Sequence, residues 1–171
     1  MAKAPALKKP DGVVWSNADW SVVRGHLTRP RGRPEGAKPL FRIVAEKLPF
    51  AALDDVEASL RDNGIKVSGI YVAHDSMGAP RYVGRGNVIG RLRSIQRTHR
   101  FELLYFSFYV VEEKVHEREI ETLLIRGASH LLEFNDRKKR VGIYPGSIYD
   151  YEPGTKYYER QDKRGRKARQ E

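Results

Sequence analysis

Residues 67–93 constrain the fold of this chain more than any other stretch. Val67-Ser68-Gly69-Ile70-Tyr71-Val72-Ala73-His74 is rich in β-branched and aromatic residues and reads as a strand. Asp75-Ser76-Met77-Gly78-Ala79-Pro80 is turn chemistry: the Asp can bond its own backbone, Gly supplies positive φ, and Pro cannot join a central ladder. Arg81-Tyr82-Val83 then returns as the second strand of a hairpin, stopped by Gly84 and Gly86. Asn87 suits the N-cap of a helix that starts at Val88 and carries Arg91, Arg93 and Arg97. The hairpin brings two tyrosines, Tyr71 and Tyr82, to one sheet beside an arginine-bearing helix.

The remaining elements are arranged around this unit. The aromatic and β-branched run from Phe101 through Tyr105, Phe106, Phe108, Tyr109 and Val110 to Val111 predicts a third, central strand. Ile120, Leu123, Leu124, Ala128, Leu131 and Leu132 recur at helical spacing and predict a second helix over 113–134, with Glu117 and Glu121 one turn apart on one face. Upstream, apolar spacing after Pro49 predicts a helix over 50–62, ended by Asn63-Gly64. Phe41-Arg42-Ile43-Val44-Ala45 suits either a strand or a helix start. The expected fold is α+β: a small three-stranded mixed sheet, hairpin plus central strand, flanked by helices. Residues 1–40 are expected to be a basic, partly disordered extension and linker, with a helical turn at 17–24 and Trp15 and Trp20 as anchors. Residues 41–66 form an added packing segment, 67–140 the core, and 141–171 a loop and basic tail.

Charge narrows the partner. The chain carries a formal net charge of +10, which points to a polyanion, most often nucleic acid. It has no cysteine, so disulfides and thiolate metal sites are excluded, in keeping with a reducing, cytoplasmic setting. No run approaches the roughly 20 apolar residues of a bilayer span, and the N-terminus lacks a secretory signal. Gly84-Arg85-Gly86-Asn87-Val88-Ile89-Gly90 has the wrong spacing for a dinucleotide loop, so no small-molecule cofactor is expected.

Gly69-Ile70-Tyr71, then ten residues, then Tyr82-Val83-Gly84 resembles the signature of the GIY-YIG nuclease superfamily. A second Gly142-Ile143-Tyr144 has no Tyr-x-Gly partner at that distance. The resemblance covers residues 67–135 and implies a GIY-YIG-type DNA endonuclease, with 67–140 as its core. Gly90-Arg91-Leu92-Arg93 is similar to the family's Asn-Arg-Leu-Arg stretch, which makes Arg91 the phosphate clamp. Glu121-Thr122-Leu123-Leu124-Ile125 is similar to the Glu-x-x-x-Ile run that holds the family's metal, which makes Glu121 the ligand of Mg²⁺ or Mn²⁺, with Glu117 and Glu119 as runners-up. Tyr71 and Tyr82 are implied in water activation, and Asn135 in closing the core. Arg85, Arg93, Arg97, His99, Arg100, Lys138, Lys139 and Arg140 are the expected nucleic-acid contacts.

One position departs from that pattern: Ile95 stands where many relatives carry His or Tyr, and His99 lies one further turn along. His26, His74, His116 and His130 fit no ligand spacing and default to surface or structural roles. Two rival readings stay open. One is a nucleic-acid-binding module that keeps the fold without turnover, which Ile95 favours. The other is a protein-interaction domain built on the acidic helix 50–62.

Overall fold

A computed structural model describes residues 8–28, 38–128, 130–135 and 151–162. These form one seven-stranded mixed sheet with three α-helices, an α+β fold. The strands are β1 (Lys8–Ser16), β2 (Trp20–Leu27), β3 (Phe41–Pro49), β4 (Ser68–His74), β5 (Pro80–Asn87), β6 (Tyr105–Val111) and β7 (Tyr151–Asp162). The helices are α1 (Leu53–Asp62), entered through a 3₁₀ turn at Phe50–Ala52, α2 (Val88–Thr98) and α3 (Val115–Gly127). Across the sheet the order is β1-β2-β7-β3-β6-β4-β5. Neighbours are antiparallel except β3 and β7, which run parallel.

The expected three-stranded sheet is therefore corrected. The hairpin β4–β5 and the third strand β6 form only one end of a sheet of seven. Strand β6 is not an edge: β3 pairs along its far side, and β7, β2 and β1 follow. The expected helical turn at 17–24 is instead the start of β2, with a tight connection from β1 in which Asn17 Oδ1 accepts from Asp19 N at 2.9 Å and Trp20 N at 2.7 Å. Local pattern missed β2 and β7 because the pairing that joins them to the rest of the sheet spans a long stretch of sequence, and β1 follows as the hairpin partner of β2. Trp20 of β2 pairs with Asp162 of β7, for example. Helix α3 also ends earlier than expected, at Gly127, after which the chain turns and buries Leu132.

Strands β4 and β6 are buried on both faces, as central strands covered on two sides must be. Alternate residues divide between two clusters. Tyr71 and Ala73 of β4 and Phe106 and Phe108 of β6 join Leu53, Val56 and Leu60 of α1 and Val88, Ile89 and Leu92 of α2. Ile70 and Val72 of β4 and Tyr109 and Val111 of β6 join Ile125 of α3 and Leu132. The sheet is thus sandwiched between α1 and α2 on one face and α3 on the other. A bulge in β3 puts Lys47 at φ 52°, and its N–H donates to Ser107 Oγ at 2.8 Å. Strand β1 is an edge, and Pro10 together with two register shifts interrupts its exposed ladder.

Candidate active site

The site forms at the other edge of the sheet, where β5 has no second strand neighbour among the described residues. Tyr71 pairs with Gly84 and Ala73 with Tyr82 across the hairpin, so both tyrosines fall on the face that carries α2. Their rings stack with centroids 5.9 Å apart and planes 11° from parallel. Both outer glycines of the signature are sterically required. A Cβ on Gly69 would collide with the Tyr109 carbonyl oxygen of β6, and one on Gly84 would overlap the Tyr71 hydroxyl, with its Cζ only 2.5 Å away. Strand β4 can press against β6, and the Tyr71 ring can lie across β5, only because these two positions lack side chains.

Asn87 Oδ1 accepts from Gly90 N at 3.2 Å, which caps α2 and fixes where its first turn begins. That turn delivers Arg91, which is solvent-exposed, to the tyrosine pair. From the opposite face, Arg85 Nε donates to Glu121 Oε2 at 3.0 Å. Glu117, Glu121 and Ile125 recur every four residues along the inner side of α3, so two carboxylates are buried where apolar side chains would be usual. Residues Tyr71, Tyr82, Gly84, Arg85, Arg91 and Glu121 together line one polar cleft of about 350 Å³. Side chains from β4, β5, α2 and α3 meet there around an edge strand narrowed by Gly84.

Asn135 completes the frame. It is buried and grips the Val83 backbone from both sides: Val83 N donates to its Oδ1, and its Nδ2 donates to Val83 O, each at 2.7 Å. It thereby satisfies a peptide of the edge strand as a neighbouring strand would. Phe134 N donates to Arg81 O at 3.2 Å, and Arg81 bridges Asp75 and Glu133, so the segment after α3 is sewn to β5.

Burial pushes the Tyr71 phenol well above its usual range, and the neighbouring Tyr82 phenol and the Glu121 carboxylate push the same way. The Arg91 charge opposes them but does not win. Tyr71 is a neutral hydrogen-bonding phenol at physiological pH.

The expected nucleic-acid contacts do not all face this cleft. Arg93 points to α1 instead, where it donates to Asp54 Oδ1 at 2.7 Å and to Glu57 Oε2. Those carboxylates raise its pKa and commit it to joining two helices. Arg97 and Arg100 are exposed. His99 ends α2 with its ring 4.0 Å from that of Phe134 and Nδ1 3.2 Å from Glu102 Oε2, and it is not part of the cleft lining. Ile95 is half-buried against the core, so that position supplies no polar group. Glu119 is exposed beside His116. Lys138, Lys139, Arg140 and the second Gly-Ile-Tyr triplet lie outside the described residues. His74, given a surface or structural role by default, is buried between Gly78 O and Ser107 Oγ.

Among the described residues no three His, Cys, Asp or Glu side chains gather as a metal cage, and no helix is long and apolar enough to cross a membrane. No family model matches the chain, and no curated protein or solved structure is significantly similar to it.

Proposed function

We infer that this chain is a metal-dependent DNA endonuclease of the GIY-YIG type. One observation carries the reading: two stacked phenols, two guanidinia and a buried carboxylate, drawn from four separate elements, share one polar cleft on a strongly basic protein. The spacing of the two triplets alone would support it weakly. Their convergence with Arg91 and Glu121 supports it better, because phosphodiester hydrolysis needs a placed water, positive charge at phosphorus and a proton path.

The donor set fits a hard cation that keeps most of its water, since Glu121 offers a carboxylate and the described residues of the lining carry neither sulfur nor imidazole. Glu121 would hold it, once Arg85 releases the oxygen that it now occupies. When bound, a divalent ion of this kind supplies charge neutralisation at the phosphate and a more acidic water. Arg91, exposed at the mouth, grips two phosphate oxygens with its planar fork. Arg85 is drawn toward the incoming phosphate, which frees Glu121. Tyr71, held neutral, donates its phenolic proton in a hydrogen bond that orients the attacking water. Tyr82 Oη, the less buried of the two, accepts a proton from that water as it passes its own to solvent. The water oxygen bonds to phosphorus as the P–O bond to the leaving strand breaks, and the leaving oxygen takes its proton from solvent, which balances the one passed out by Tyr82.

The test is to incubate supercoiled plasmid with the wild type and with Glu121→Gln, with and without Mg²⁺. Metal-dependent nicking that falls at least about a hundredfold in the variant is expected. Salt-sensitive DNA binding with no nicking under any metal would replace this reading by a binding module, which Ile95 in the core and Arg85 on the carboxylate favour. Absence of both activities leaves the acidic face of α1 as the surface to pursue.

A further inference from the structure

Phe101 is 91% exposed, more than any other large apolar side chain in the described residues. It is nevertheless firmly held. It sits at the tip of the turn after α2, closed by Glu102 N donating to His99 O at 3.2 Å and Leu103 N donating to His99 O at 3.1 Å. Two residues before it, the His99 ring packs on Phe134, and two residues after it Leu103 is fully buried. The backbone is anchored on both sides while the ring stands in water. An exposed phenylalanine alone is commonplace. This one is flanked by the exposed guanidinium-bearing residues Arg97 and Arg100, with Glu102, turned to His99, as the only acid in the turn.

The ring also continues a line that starts in the cleft. Arg91, Ser94 and Thr98 are exposed, and their three- and four-residue steps put them on one stripe of α2 that leads to Phe101. Arg91 to Thr98 spans about 10 Å along the helix axis. Phe101 lies beyond Thr98, so the ring is farther than this from Arg91, a separation of a few nucleotides along a strand.

We propose that Phe101, flanked by Arg97 and Arg100, is a stacking subsite for an unpaired DNA base a few nucleotides from the phosphate at Arg91. The inference rests on the nuclease reading and narrows its substrate class to DNA with a single-stranded stretch beside the cleaved bond. Paired bases keep their faces inside the helix and cannot meet the ring. The two arginines hold the backbone on either side while the ring covers the base.

The experiment uses the full chain as wild type, Phe101→Ala and Phe101→Trp, with Ca²⁺ in place of Mg²⁺. Fluorescence anisotropy measures binding to a labelled duplex and to the same duplex carrying a six-nucleotide bubble. The wild type should prefer the bubble. Phe101→Ala should lose about tenfold on the bubble and nothing on the duplex, at an unchanged thermal midpoint. Phe101→Trp should restore binding, with quenched tryptophan emission. Equal affinity of wild type and Phe101→Ala for the bubble overturns the subsite even if the protein nicks plasmid in Mg²⁺, in which case the nuclease reading stands. A wild type that binds neither DNA overturns both.

Discussion

A single missing methyl group decides where the Tyr71 ring can lie. Gly84 faces Tyr71 across the hairpin, and the ring occupies the volume a β-carbon would need. Gly84→Ala must therefore displace the ring or part β4 from β5, and neither gives easily, because the ring is buried and Asn135 pins Val83 next door. The expected cost is about 1–3 kcal/mol in urea unfolding, the usual penalty for overpacking a filled core. Nicking should fall further than stability, since the displaced group lies in the cleft. An alanine variant as stable and as active as the wild type would show that the close approach is unimportant. At this scale part of the candidate site was legible: Tyr71 and Tyr82 through the spacing of their triplets, and Arg91 and Glu121 through the resemblance, and the four share a cleft. Arg93 was not legible as an interhelical tie, because its partners Asp54 and Glu57 lie on another helix that no local pattern connects to it. Phe101 read as part of a strand because its neighbours are aromatic and β-branched, whereas the turn closed on His99 O places it in water before β6 begins at Tyr105.

The strands nearest the site are tied together by a buried polar chain. Lys47 N donates to Ser107 Oγ, and the Ser107 hydroxyl lies 2.9 Å from His74 Nε2. His74 Nδ1 lies 3.1 Å from Gly78 O in the hairpin turn, so as the Nδ1–H tautomer the imidazole donates there and accepts from serine. The chain joins β3, β6, β4 and the β4–β5 turn. Burial, and then the positive charge of Lys47, push His74 down to about 4 from an ordinary value of 6.5. The folded form therefore holds the ring neutral while the unfolded chain takes up a proton near pH 6.5. The associated stability is complete above pH 6.5 and is lost as pH falls toward 4. Unfolding in urea at pH 7 and pH 4.5 should differ by up to about 3 kcal/mol from this group. His74→Gln should flatten that part of the profile. A wild-type and variant pair with the same slope over this window would assign acid sensitivity elsewhere. Asp75, whose backbone and Arg81 hydrogen bonds hold its pKa low despite partial burial, works in the same sense but below pH 4.

At the scale of the whole molecule, the sheet divides into the part that carries the cleft and the part that extends it, and β7 is the joint. Among the described residues strand β2 pairs only with β1 and β7, and β7 connects that pair to β3 through the one parallel contact there. The joint also contributes to the core: Tyr158 of β7 and Val22 of β2 belong to the cluster that contains Tyr71 and Leu92. Nothing in the local sequence announces this. Lys, Glu, Gly and Pro are prominent in β7, whose strand character comes from pairing with β2 and β3 across more than a hundred residues, and β1 is held only through β2. The prediction is a truncation that ends the chain at residue 150. It would leave β1 and β2 as an isolated two-stranded ribbon, which is marginal in water, and would strip the partner from one side of β3. Trypsin should then cut rapidly at Arg24, which in the full chain is held by Asp11 at 2.9 Å and by strand pairing on both sides. The stretch from β4 to α3 should outlast it, because β6, β4 and β5 and both covering layers remain. Equal protection of Arg24 in the truncated and full chains would mean that the ribbon docks by its own side chains, with α1 as its support rather than β7. The order of cleavage thus reports which neighbour carries the extension, a question that the pairing geometry answers in favour of β7.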